Sequence, residues 1–131
     1  RDRNKGTVSI VRDERNSIQL KVSSITLDQY LLDHNFQKID LIKIDIEGGE
    51  YLALQGMKNS LKEFHPQLLI EFDEDVISRS KYSTAEILNY LTELNYYKFY
   101  LDANGELTEH QNKSQSKNLI FLHESMLNTP L

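Results

Sequence analysis

The chain has 131 residues, 39% hydrophobic and 27% charged, with a formal net charge of −5. That composition describes one globular domain with enough residues to bury a core, and it excludes a disordered chain. The acidic balance argues against a nucleic-acid or anionic-membrane partner, and the absence of cysteine excludes a disulfide framework and thiolate metal sites.

The chain opens on Arg1 rather than Met, which suggests that something upstream was removed or never included. Residues 1–6 are polar. TVSIV (7–11) and SIQLKVSSI (17–25) are β-rich and flank RDERN, a turn-forming stretch, so a hairpin is expected. Thr26 is placed to cap a helix, with Gln29 as its capping-box partner. Leu27, Tyr30 and Leu31 form that helix's apolar stripe, and it should end near Asn35. IDLIKIDI (39–46) is a run of branched residues, the pattern of a strand covered on both faces. Leu54, Met57, Leu61 and Phe64 then lie on one face of a helix of about four turns, closed by Pro66.

QLLIEF (67–72) reads as a second buried strand, followed by a polar loop from Asp73 to Tyr82. Ser83 and Glu86 form a capping box ahead of a helix that buries Ile87, Leu88, Leu91 and Leu94. YYKFYL (96–101) is a strand, Asn104-Gly105 is a turn, and KNLIFLHE (117–124) is the last strand. Alternating strands and helices predict an α/β layer with parallel strands. The last two strands follow too closely for a crossover helix and should pair antiparallel. The tyrosines at 96, 97 and 100 read as packing residues. The four histidines lack the mutual spacing of a metal site, and no metal ligand is assigned.

Ligands of open α/β sheets bind outside the carboxyl ends of the parallel strands. Asp45 ends the first such strand, and Glu71 and Asp73 end the next. Strands lie about 5 Å apart, so Asp45, Glu47, Glu71 and Asp73 should converge on one rim. Such a cluster can abstract a proton, bind hydroxyls or hold a divalent cation. Gly48 and Gly49 would let the chain turn sharply into the following helix. Glu47 and Glu50 could equally serve the helix dipole. Lys43 points opposite to Ile42 and Ile44, and reads as a structural partner for an acid across the sheet.

ITLDQYL, IDLIKIDIEGGEYLALQGM and HPQLLIEF together resemble the FkbM family of S-adenosylmethionine-dependent methyltransferases. The motif likeness covers about residues 22–75; beyond that, only the order of elements carries it. The resemblance implies a Rossmann-like sheet of order 3-2-1-4-5-7-6, with residues 39–46, 67–72, 96–101 and 117–123 as strands 4, 5, 6 and 7. It implies O-methylation of a small hydroxylated acceptor, such as a sugar or polyketide, in the cytoplasm. Asp45 and Glu47 would be catalytic, Asp45 and Gly48 would contact S-adenosylmethionine, and Glu71 and Asp73 would contact substrate.

None of the five glycines forms a G-x-G loop ahead of residue 39. The expectation is therefore a single partial domain over 1–131, the C-terminal half of the family's sheet in the order 4-5-7-6, preceded by the hairpin and helix. Cofactor binding by this chain alone would be in doubt. The strand at 39–46 would be left as an unpaired edge, through which a homodimer is expected. The competing expectations are a non-catalytic interaction or assembly module and a divalent-metal site on the acidic rim.

Overall fold

The computed structural model describes residues 22–102, 104–109 and 117–127. The expected hairpin falls largely outside them, and residues 22–25, in its second arm, form no strand. The first element is helix α1 (Leu27–Asp33), in which the Thr26 hydroxyl accepts the Gln29 amide. The reciprocal half of the expected capping box is absent, because the Gln29 side chain donates to Asp33 instead, at 2.6 Å.

Strands β1 (Leu41–Ile44), β2 (Gln67–Glu71), β3 (Tyr96–Leu101), β4 (Leu107–Thr108) and β5 (Asn118–His123) form one sheet, in the order β1-β2-β5-β3-β4. β1 and β2 are parallel, and β5 runs antiparallel to both β2 and β3. The expected order 4-5-7-6 is therefore the observed order of β1, β2, β5 and β3. The sheet is the partial Rossmann-like layer that the resemblance implies, with one parallel pair and the remaining pairings antiparallel.

Helices α2 (Glu50–Gln55), α3 (Lys58–Phe64) and α5 (Thr84–Glu93) contribute Leu54, Leu61, Ile87 and Leu91 to one buried cluster with Ile44, Leu68, Ile70 and Phe121 of the sheet. The period-2 alternation of strands puts Ile42 and Ile44 on that face and Leu41 and Lys43 on the other. The second face of β1 is open: Leu41 and Lys43 are exposed. Two-sided coverage, expected from the branched run, is thus not met among the described residues. β1 is also shorter than 39–46, since Asp45 and Ile46 have already left the ladder.

The single helix expected across 50–64 is broken in two. Gly56 ends α2, and Met57 starts α3 in a non-helical conformation. The break has a cause in α1. The Asp28 amide donates to the Gly56 carbonyl at 3.1 Å. The Asp28 carboxylate accepts the Asn59 and Ser60 amides, at 3.0 and 2.9 Å, and the Ser60 hydroxyl. One acidic residue thus caps the start of α3 and ties α1 to the break. A side chain at Gly56 would press on Thr26, whose atoms lie 3.4 Å from where its Cβ would stand. Asp28→Ala strands these amide donors and should destabilise the fold by about 2–3 kcal/mol. A urea midpoint unchanged by the substitution would refute the role.

Three smaller differences follow. The expected loop 73–82 contains α4 (Glu74–Ile77), which buries Val76 and Ile77 and is capped by Asp73. The last strand stops at His123, and α6 (Glu124–Leu127) follows directly. The Asn104-Gly105 turn returns the chain as β4 against the end of β3, with the Asp102 carboxylate accepting the Asn104 and Glu106 amides at 2.8 Å each. The Ser83–Glu86 capping box forms in full.

Candidate functional site

β1 and β2 pair in register from Leu41↔Gln67 to Ile44↔Ile70. One further step places Asp45 beside Glu71, on the face that also carries Lys43. Both carboxyl groups face the same cleft and each shifts the other's proton affinity. Lys43 donates to the Asp45 carboxylate at 2.6 Å. Asp45, Glu47, Gly48, Glu71 and Asp73 all line one small cleft at the carboxyl ends of β1 and β2, of about 240 Å³ with its open mouth included. Glu50, Val76 and Ile77 complete its lining.

The turn out of β1 is held in an unusual conformation. Glu47 has φ 53° and Gly48 has φ 99°. The left-handed region suits Gly48, but for a glutamate it costs of order 1–3 kcal/mol and persists only where the surroundings impose it. Gly49 needs no such freedom, since its φ is −96° as the N-cap of α2. The imposing group is Glu50. Its buried carboxylate reaches back and accepts the Gly48 amide at 3.0 Å. Glu50 is therefore a structural clasp on the turn, more than a surface charge facing the helix dipole. The same bond means that the Gly48 amide is already engaged.

Asp73 is held by two partners. One carboxylate oxygen accepts the Asp75 amide at 3.0 Å, and the other accepts from Lys117 at 2.5 Å. Lys117 sits at the head of β5, so this pair fastens the third strand of the sheet to the cleft wall.

The electrostatics separate the two central acids. The hydrogen bond from Lys43 holds the Asp45 carboxyl below the usual carboxylate range, and Glu71 acts in the same direction. Glu71 moves the other way. Asp45, then burial, then the charge of Glu47 raise it, against a smaller opposing effect of Lys43. Two adjacent carboxyls pushed apart in this way form a pair that binds one proton more tightly than an isolated acid does. Asp73 is held low, first by its bond to Lys117.

Among the described residues, no group of three or more His, Cys, Asp or Glu is arranged to hold a metal ion. The acidic rim accordingly offers no divalent-cation site there, because Asp45, Glu50 and Asp73 face cationic or amide donors of the chain itself. No described helix is long and apolar enough to cross a membrane.

A family model described as the Methyltransferase FkbM domain matches residues 1–97 of the 131. The chain belongs to the FkbM methyltransferase family. The match includes β1, β2 and the whole turn between Asp45 and Glu50, and it ends within β3. β5, which lies between β2 and β3 in the sheet, falls outside the matched stretch of this FkbM chain. No curated protein and no solved structure matched the chain.

Proposed function

We propose that the cleft is the acceptor side of an S-adenosylmethionine-dependent O-methyltransferase site acting on a hydroxyl of a small molecule or sugar. The carrying observation is the Asp45–Glu71 carboxyl pair at the ends of two parallel strands. Within the family a methyl group must move, and a hydroxyl acceptor must lose its proton as it does so. A carboxylate whose proton affinity has been raised toward the working pH is suited to take that proton.

S-adenosylmethionine, when bound, supplies a methyl group made electrophilic by its sulfonium. The described residues suit part of that molecule. Its sulfonium and ammonium are cations, and Asp45 and Glu47 present negative charge at the turn. The nucleoside has no glycine-rich loop to receive it in this stretch, since none of the five glycines forms a G-x-G ahead of β1. Gly48 lines the cleft without a side chain to obstruct a ligand, while its amide remains with Glu50. Glu71 accepts the hydroxyl proton and Asp45 holds it there through their shared hydrogen bond. Asp73, fixed by Lys117, forms a polar wall against which further acceptor hydroxyls can bond. Val76 and Ile77 close the cleft with apolar surface.

The reading is tested by methyl transfer from labelled S-adenosylmethionine to a panel of sugars and hydroxylated polyketides. Label recovered in a methyl ether supports it. Label found only on nitrogen or carbon acceptors overturns it.

A second reading is favoured by the edge of the sheet. β1 is outermost, and no described strand lies beside its outer edge, while Leu41 is 58% and Ile46 38% exposed. Such an edge is a template for strand pairing. On this reading the half-sheet is an assembly module, and two copies join through β1. Sedimentation should then show a concentration-dependent dimer that Leu41→Lys abolishes. A wild-type chain that stays monomeric throughout refutes it.

A further inference from the structure

We propose that Lys43 is a positioning residue that decides which carboxyl of the pair carries the shared proton, keeping it on Glu71 and off Asp45. The inference deepens the methyltransferase reading and rests on it for the proton's use, though not for the proton's place. The geometry is local. Lys43 and Asp45 are two apart on one strand, so their side chains leave β1 on the same face. They meet at 2.6 Å, the lysine ammonium donating to the Asp45 carboxylate. Glu71 follows Ile70, the register partner of Ile44, so it stands beside Asp45 on the neighbouring strand and lines the same cleft. Asp45 is thus shared between Lys43 on its own strand and Glu71 on the next.

An ammonium bonded to one carboxylate opposes protonation of that carboxylate, because a proton there would break an ion pair and leave like charges together. A proton entering the pair therefore resides on Glu71, whose O–H then donates a hydrogen bond to the Asp45 carboxylate. The other charges around Glu71 are Glu47 from the turn and Lys117 from the head of β5. Glu47 adds to the proton's attraction. Lys117 is already paired with Asp73, at 2.5 Å. Glu47 carries the wrong charge to take the place of Lys43. The protonation tendencies of the two acids point the same way, Asp45 low and Glu71 high.

For the proposed reaction the consequence is a division of labour. The hydroxyl proton of the acceptor leaves its oxygen and forms a bond to a Glu71 oxygen. Asp45 stays ionised and accepts the hydrogen bond that Glu71 then donates. Lys43 touches neither acceptor nor cofactor in this scheme, and acts only through Asp45.

The test is a carboxyl-detected NMR titration of the whole chain, followed at the Asp45 and Glu71 side-chain carbons. In the wild type, Asp45 should titrate below the ordinary aspartate range and Glu71 above the ordinary glutamate range. In Lys43→Met the Asp45 step should rise by about one pH unit or more, and its carbon should begin to report the Glu71 step as well. Lys43→Arg should restore the separation. Identical titrations in the wild type and in a folded Lys43→Met overturn the proposal. So does a wild type in which Asp45 titrates above Glu71, a result that needs no variant to fold. The readout involves no methyl transfer. The expected titrations from a protein that methylates no hydroxyl would leave this proposal standing and remove the functional reading alone.

Discussion

Phe121→Ala is expected to destabilise the domain by about 3–5 kcal/mol. Phe121 is 1% exposed and sits on β5, the strand that joins the parallel pair to β3. It is directly opposite Leu68 on β2 and Lys98 on β3, and its ring lies 6.1 Å from that of Phe72. Its removal opens a void that rigid neighbours cannot fill, since Leu68 and Ile70 are fixed in the ladder and Leu61 and Leu91 in helices. Domains of this size are stable by about 5–15 kcal/mol, so the loss is a large share of the total. The midpoint of thermal unfolding should fall by roughly 10–20 °C. Phe121→Leu keeps most of the apolar volume and should cost much less. Equal midpoints for Phe121→Ala and the wild type would mean that β5 is not a structural centre.

The sheet order, with KNLIFLHE between the second and third strands, came from the family resemblance, whereas the strands themselves and the parallel run of β1 and β2 were legible in the branched runs and their spacing. The reason is physical: a strand covered on at least one side must be apolar, and two strands with a helix between them must run parallel. The convergence of Asp45, Glu47, Glu71 and Asp73 was legible for the same reason, because parallel strands bring their carboxyl ends to one rim. What escaped depends on contacts distant in sequence. Asp28 looked like an ordinary acid in a first helical turn, yet it caps another helix 31 and 32 residues on. That contact, together with Gly56 at the break, accounts for the division of the apolar stripe over 54–64 between two helices.

The rings of His65 and His123 stack at 3.7 Å near the opposite end of the sheet, though nothing in their spacing relates them. They meet because His65 and Pro66 lead into β2 where the antiparallel β5 ends. Glu50 was ambiguous between the helix dipole and a site, and its burial decides for a clasp. The left-handed Glu47 had only one signal in the sequence: a glutamate wedged between a strand end and two glycines.

Glu71→Gln is expected to lower turnover by about 10²–10⁴-fold while leaving cofactor affinity near that of the wild type. Glutamine keeps the size and the hydrogen bond toward Asp45 but cannot take a proton. In the wild type the group must be ionised to work, so the rate should rise with pH through the Glu71 ionisation and then level off. Because Glu71 is raised by Asp45 and by burial, that limb lies above the usual glutamate range of about 4.3. Asp45→Asn should also lower turnover far more than cofactor affinity, and it carries a different signature. It removes the charge that raises Glu71, so the remaining activity should show its limb at lower pH. Glu71→Gln should instead lose the limb altogether. Opposite behaviour, with the limb surviving Glu71→Gln and vanishing in Asp45→Asn, would make Asp45 the proton acceptor and Glu71 its support. Unchanged turnover in both variants would remove the pair from the reaction, and the cleft would then be only the place where two strands end.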